Sequence, residues 1–269
     1  MTTAVVFPFD LFGSAGTGAG ALLLGDVLRE ALDDTAAEER PTRPHAYAGE
    51  LDIEEYPFET LDQVQGWRRT GREAARRLLS DGEFVLWLAG NHLGVLPVYE
   101  ELGADTVVVQ FDAHLDCYDL YDTTAELCHG NFLLHASGPL PKLVNVGHRD
   151  LFLLPEDVKK TFAEAHPAEA VAADPRKVVA SLRKRVGRAK RVWIDIDADV
   201  LDPAFAPGVP QPMPFGLTPM QLLALLGAAW SSKVVGVSVS EFDPGRDDRD
   251  RTLSLLGWLI ERVLLKRYE

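Results

Sequence analysis

Short runs of apolar and β-branched residues alternate along this chain with longer stretches in which apolar positions recur at helical spacing, the pattern of a parallel sheet flanked by helices. Strands are expected over Ala4–Phe9, Glu83–Leu88, Thr106–Phe111, Leu143–Val146, Arg191–Ile196 and Val234–Ser240. Helices are expected over Gly20–Leu32, Leu61–Leu79, Leu93–Leu102, Asn131–Ala136, Pro175–Val186, Thr218–Trp230 and Arg251–Lys266. Thr218-Pro219 makes a good helix opening, because threonine caps free amides and proline forgoes a bond the first turn would not have made. The segment Asp33–Phe58 is polar, acidic and irregular and reads as a surface excursion. Ala198–Gly216, with five prolines, reads as a rigid loop over the sheet edge. No repeat or linker interrupts the pattern, so residues 1–269 read as a single domain.

Composition supports that reading and narrows the partners. With 269 residues, 46% of them hydrophobic and 25% charged, the chain can bury one large core of the α/β type. No stretch approaches the eighteen consecutive apolar residues of a membrane span, and the opening MTTAVVFPFD lacks the basic region and apolar run of a signal peptide, so a cytoplasmic location is expected. Two cysteines, Cys117 and Cys128, fit a reducing compartment and no disulfide framework. Against 27 basic residues stand 41 acidic ones, a net charge of −14 that repels nucleic acid and anionic membranes alike.

In an open parallel sheet, ligands bind beyond the carboxyl ends of the strands, so polar residues just after a strand are the first site candidates. Four expected strands have them: Asn91-His92, then Asp112-Ala-His114-Leu-Asp116, then Asp197-Ala-Asp199, then Glu241. If the backbone stays extended, side-chain direction repeats every two residues and each Asp-x-His or Asp-x-Asp set faces one side. With His92 these make four carboxylates and two imidazoles, too much negative charge to gather without cations. Each motif alone is also compatible with an ordinary loop, and Asp202-Pro203 alone reads as a turn. Convergence of several at independent strand ends favours a metal site. An oxygen-rich set with one or two histidines suits manganese before zinc, and a carboxylate can bridge two such ions.

On Ala89-Gly-Asn-His92, Asp112-Ala-His-Leu-Asp116, His129-Gly130, Asp197-Ala-Asp-Val-Leu-Asp-Pro203 with its continuation to Gly208, and Glu241, the sequence resembles the ureohydrolase family of arginases and agmatinases. The resemblance implies a three-layer αβα fold with a mostly parallel central sheet. It also implies two Mn(2+) per chain and hydrolysis of a guanidino carbon to urea and an amine. His92, Asp112, Asp116 and Asp197 would hold one ion; His114 and Asp199, with Asp112 and Asp197 as bridges, would hold the other. Glu241 matches the family's guanidinium-facing glutamate and His129 its proton-shuttling histidine, while Asp116 would aim the attacking water. Family members commonly form trimers or hexamers, so a homo-oligomer is expected.

Departures from the family pattern bear on substrate more than on reaction. Asn91 replaces a carboxylate beside His92, which is expected to alter metal tuning, and Asp195 stands where a serine or small residue is usual, expected to point to the other side of its strand toward a structural partner. Arginases bind the α-carboxylate of free arginine through an asparagine and a serine in the loop before the histidine; Tyr118 and Ala125 occupy those places here. Free arginine is therefore an unsuitable substrate, whereas an amine such as agmatine, a guanidino acid or a larger peptidyl guanidine remains open. Tyr118 and Asp119 are the candidate substrate contacts in that loop. Two other readings compete: a zinc-dependent deacetylase on a related fold, using one metal and a histidine dyad, and a non-catalytic binding protein descended from a hydrolase. Metal content discriminates all three.

Overall fold

A computed structural model describes residues 1–269. Eight strands form one sheet: β1 (Thr2–Phe7), β2 (Leu51–Glu55), β3 (Phe84–Ala89), β4 (Thr106–Phe111), β5 (Lys142–Val146), β6 (Phe162–His166), β7 (Arg191–Asp197) and β8 (Val234–Ser240). Their order is β2-β1-β3-β8-β7-β4-β5-β6, and every neighbouring pair is parallel. The sheet is thus wholly parallel where a mostly parallel one was expected. Its six inner strands are the six predicted ones, two with the predicted boundaries and four with ends shifted by one or two residues. No helix is long and apolar enough to cross a membrane.

The two edge strands escaped prediction for a physical reason. β2 reads Leu-Asp-Ile-Glu-Glu and β6 reads Phe-Ala-Glu-Ala-His, and each pairs on one side only, so neither carries the unbroken apolar run of a buried strand. β2 lies inside the segment Asp33–Phe58 read as irregular, which also holds the last turn of the first helix, Thr17–Ala37. The stretch Leu61–Leu79 is two helices, Leu61–Gln65 and Trp67–Ser80. They meet at Gly66, and Trp67 stacks on Phe9 with ring centroids 4.4 Å apart. Asn131–Ala136, read as a helix, closes only a short 3-10 turn at Phe132–His135.

Period-two alternation sends each strand's apolar residues to two cores. Ala4 and Val6, Val107 and Val109, and Ile194 and Ile196 face the helices Thr17–Ala37, Pro175–Arg188, Pro219–Ala229 and Arg251–Tyr268. Val5 and Phe7, Val108 and Trp193 face Trp67–Ser80 and Leu96–Leu102. Each fully buried side chain of this kind contributes about 1.5–3 kcal/mol. The result is the expected three-layer αβα arrangement.

After β3 the chain passes over two strand positions to build β4, and β8 and β7 later fill the gap. The carboxyl ends of β3, β8, β7 and β4 therefore share one edge at a point where chain direction across the sheet reverses, which is where an open α/β sheet forms its crevice.

Candidate metal centre

His92 follows β3, Asp112 follows β4, Asp197 ends β7 and Glu241 follows β8, so four adjacent strands deliver the predicted residues to one place. The local backbone differs from the extended one expected. Instead Asp112 Oδ1 accepts from the His114 amide at 2.6 Å and Asp197 Oδ1 from the Asp199 amide at 2.9 Å. Each aspartate turns the chain on its own carboxylate, the habit of this residue at turns. Asp116 completes the first loop with a left-handed φ of 46°, and Glu241 has a φ of 60°. Such conformations cost about 1–3 kcal/mol in a non-glycine residue and gather at functional sites.

The turns bring the ligating atoms together. His92 Nδ1 lies 2.8 Å from Asp116 Oδ2, 3.2 Å from Asp112 Oδ2 and 3.3 Å from Asp197 Oδ2. His114 Nδ1 lies 2.9 Å from Asp199 Oδ2 and 3.8 Å from Asp112 Oδ1. Asp112 thus presents one oxygen to each histidine, and two ligand groups, His92–Asp112–Asp116 and Asp112–His114–Asp199, share it. A deacetylase would need its histidines as a dyad, whereas these two stand at opposite ends of one carboxylate.

The electrostatics fit cations. Burial, and then the Asp116 charge, push the Asp112 carboxyl up, and burial with the Asp199 and Asp112 charges pushes Asp197 well above the carboxylate range. Burial opposes protonation of His114, but the Asp199 carboxylate outweighs it and lifts the imidazole to about 10. In the absence of metal these groups hold protons to limit their repulsion; a divalent ion relieves the same charge. His92 Nδ1 is buried without a hydrogen-bond donor or acceptor of proper geometry, as a lone pair reserved for a metal would be.

Glu241 closes the other side. Its Oε1 accepts from the His92 amide at 2.9 Å and pairs with His129 Nδ1 at 3.2 Å, while Oε2 is buried and unpartnered. Burial disfavours the charged His129 ring, yet the Glu241 hydrogen bond and charge prevail and hold it above its ordinary value. Ser14 Oγ sits 3.2 Å from the same Nδ1, and Gly13 packs on the ring. His92, His114, Asp116, His129, Asp197, Asp199 and Glu241 surround a pocket of about 160 Å³ lined also by Tyr118, Gly130 and Gln211. A larger groove of about 570 Å³ runs between Phe205, Met220 and Trp258, far poorer in ligating groups.

Not every predicted contact is there. Asp119 and Ala125 are exposed and do not line the pocket. Asn91 points away from the ligands, its Nδ2 donating to Leu11 O at 3.0 Å. Asp195 is a correction: it lies on the same face as Asp197, not the other side of the strand, and its partner is His92 Nε2 at 2.7 Å. Cys117 and Cys128 are free thiols, as expected. Ser14, Gln211, Tyr99 and Arg149 were missed, since none sits at a strand end in a ligand-type cluster. Arg149 donates to the carbonyls of Asp199 and Val200 at 2.7 and 3.0 Å and to that of Met213 at 3.0 Å, tying the proline-rich loop to the ligand turn.

Comparison with known proteins agrees with this geometry. Residues 3–266 match the model of the arginase family. A mitochondrial arginase of Medicago truncatula is 33% identical over 192 residues, 66% of this chain and 54% of its own length. A guanidinopropionase of Pseudomonas aeruginosa is 32% identical over 208 residues, 73% of this chain and 64% of its own. The matched stretches thus span about half to two thirds of those relatives. The crystal structure of the agmatine ureohydrolase of Thermoplasma volcanium superposes with a TM-score of 0.79 at 23% identity, covering 99% of this chain and 89% of that one. The fold, the order of ligand-type residues along the chain and the near full-length match lead to one conclusion: the chain belongs to the arginase family.

Proposed function

We propose that this protein is a binuclear manganese hydrolase that cleaves the guanidino carbon of a substrate other than free arginine, yielding urea and an amine. The observation that carries the reading is the division of Asp112 between two histidine-bearing groups, with the free Oε2 of Glu241 buried in the same pocket. His92, Asp112, Asp116 and Asp197 would hold one ion, and His114, Asp199, Asp112 and Asp197 the other. Oxygen-rich sets with one imidazole each suit manganese. When bound, a pair of divalent ions supplies the acidity that makes water a competent nucleophile near neutral pH.

The chain's own groups do the rest. Glu241 Oε2 accepts from the guanidinium N–H groups and fixes the planar carbon over the ligand set. Asp116 accepts from the attacking water and orients it. His129, held at Nδ1 by Ser14 and Glu241, keeps Nε2 free to pass a proton to the departing amine. Tyr118 walls the pocket beside the guanidino group, whereas Asp119 contributes only charge on its loop.

No lysine or arginine lines the pocket. The α-carboxylate of free arginine would be desolvated among acidic neighbours with few donors, whereas a neutral or cationic tail is not penalised. The three relatives named above carry three different guanidino compounds in their names, which supports the reaction more than any one substrate. Self-association through the exposed apolar groove at Met220 and Trp258 is the proposed assembly, checked by mass in solution.

The test is urea release by the manganese-loaded protein from agmatine, arginine, arginine amide and a short arginine peptide, compared as kcat/KM. Each missing charge-assisted bond is worth roughly 1.5–3 kcal/mol, so arginine should trail the best substrate by about tenfold or more. A protein carrying two metals that frees no urea from any of them overturns the reading.

A further inference from the structure

Asp195 is fully buried in the middle of β7, opposite Gln110 of β4 and Ser238 of β8. A carboxylate in that position is costly unless its lone pairs are used. Here they are. Oδ2 accepts from the Tyr99 hydroxyl at 2.5 Å and lies 2.7 Å from His92 Nε2, and Oδ1 accepts from Ser238 Oγ. Ser238 itself accepts from Trp193 Nε1 at 2.8 Å, so its single proton is committed to Asp195.

The proton inventory then fixes the histidine. A carboxylate only accepts, so His92 must present Nε2–H to Asp195, and a neutral ring with that tautomer has its bare nitrogen at Nδ1. Nδ1 is the atom that faces Asp112, Asp116 and Asp197. The same ring packs against Phe132, with centroids 5.1 Å apart and the planes at 64°. The residue beside His92 that could have served instead, Asn91, is turned to Leu11.

We infer that Asp195, buttressed by Tyr99 and Ser238, is the positioning residue of the His92 metal site, setting the tautomer and aim of that one ligand. The inference rests on the proposed function only in taking His92 as a ligand. Partners of this kind behind a metal-bound histidine typically change metal affinity 10- to 100-fold when removed. The effect is confined to one site, because Asp195 touches neither His114 nor Asp199.

The experiment titrates metal-free full-length protein with Mn2+ and follows free manganese by its electron paramagnetic resonance, for the wild type and for Asp195→Leu and Asp195→Val, neither of which offers His92 Nε2–H an acceptor. Expected are two ions in the wild type, and in both variants one ion at unchanged affinity and one weakened roughly 10- to 100-fold. Two ions at wild-type affinity in either folded variant overturn the inference, even if the melting temperature falls, since a purely structural carboxylate would lower stability alone. Fewer than two ions in the wild type sink the binuclear reading itself. A second measurement needs no variant: long-range proton–nitrogen spectra of histidine-labelled wild type loaded with diamagnetic Zn2+ should show His92 protonated at Nε2. Protonation at Nδ1 overturns the inference.

Discussion

Replacing Glu241 with glutamine changes one atom in the pocket and has a calculable cost. Oε1 serves the buried His92 amide at 2.9 Å, and leaving that amide without an acceptor would cost about 1–3 kcal/mol. The glutamine therefore keeps its carbonyl oxygen on His92 and places its NH2 where Oε2 stood. There a guanidinium N–H meets a donor in place of an acceptor. At least one charge-assisted bond is lost, roughly 1.5–3 kcal/mol, which is about a 10- to 150-fold fall in kcat/KM. Because the guanidinium charge is present before and during the reaction, most of the fall should sit in KM. Glutamine tolerates the φ of 60° no worse than glutamate does, so backbone strain is not a confounder. Initial rates of urea release with agmatine, on protein whose manganese content equals that of the wild type, give the answer. A fall below about threefold with both metals bound would mean that Glu241 does not face the guanidino group.

Three further outcomes follow from named contacts. Asp112→Ala should empty both metal sites, because its two oxygens serve both, whereas His114→Ala should weaken mainly one; equal retention of both ions in the aspartate variant, measured by elemental analysis, contradicts the bridge. In metal-free protein His129 should titrate above its ordinary value of about 6.5 by histidine NMR, and Glu241→Gln should lower that pKa, since the charge favouring the imidazolium is gone; an unchanged or higher value refutes the assignment. Gly20→Ala would put a Cβ 1.8 Å from the Phe242 carbonyl oxygen, next to Glu241, so the helix Thr17–Ala37 must move off the sheet. A loss of about 1–3 kcal/mol in denaturant unfolding, together with lower activity, is expected, and wild-type stability would show that this packing is looser than described.

The sequence by itself determined the inner strands, because residues buried on both faces leave continuous apolar runs, and it determined the ligand-type residues, because each follows such a run at once. Asp112, His114, Asp197 and Asp199 were legible as a charge cluster needing cations for the same reason. How they meet was not legible. Period-two spacing does not foretell the aspartate-capped turns after β4 and β7, which set how these side chains face one another. The edge strands β2 and β6 carry acidic residues that local pattern assigns to loops; pairing with β1 and β5 makes them strands. Asp195 read as a stray carboxylate with a partner elsewhere, and its role emerges only where β7, β8 and the loop after β3 come together around His92. Ser14 reaches His129 across 115 residues of chain. Contacts of that range depend on the register of parallel strands and the packing of helices on them, which no local spacing encodes. Chemistry-bearing residues are therefore readable one strand end at a time, while their partners are set by the sheet that gathers the ends.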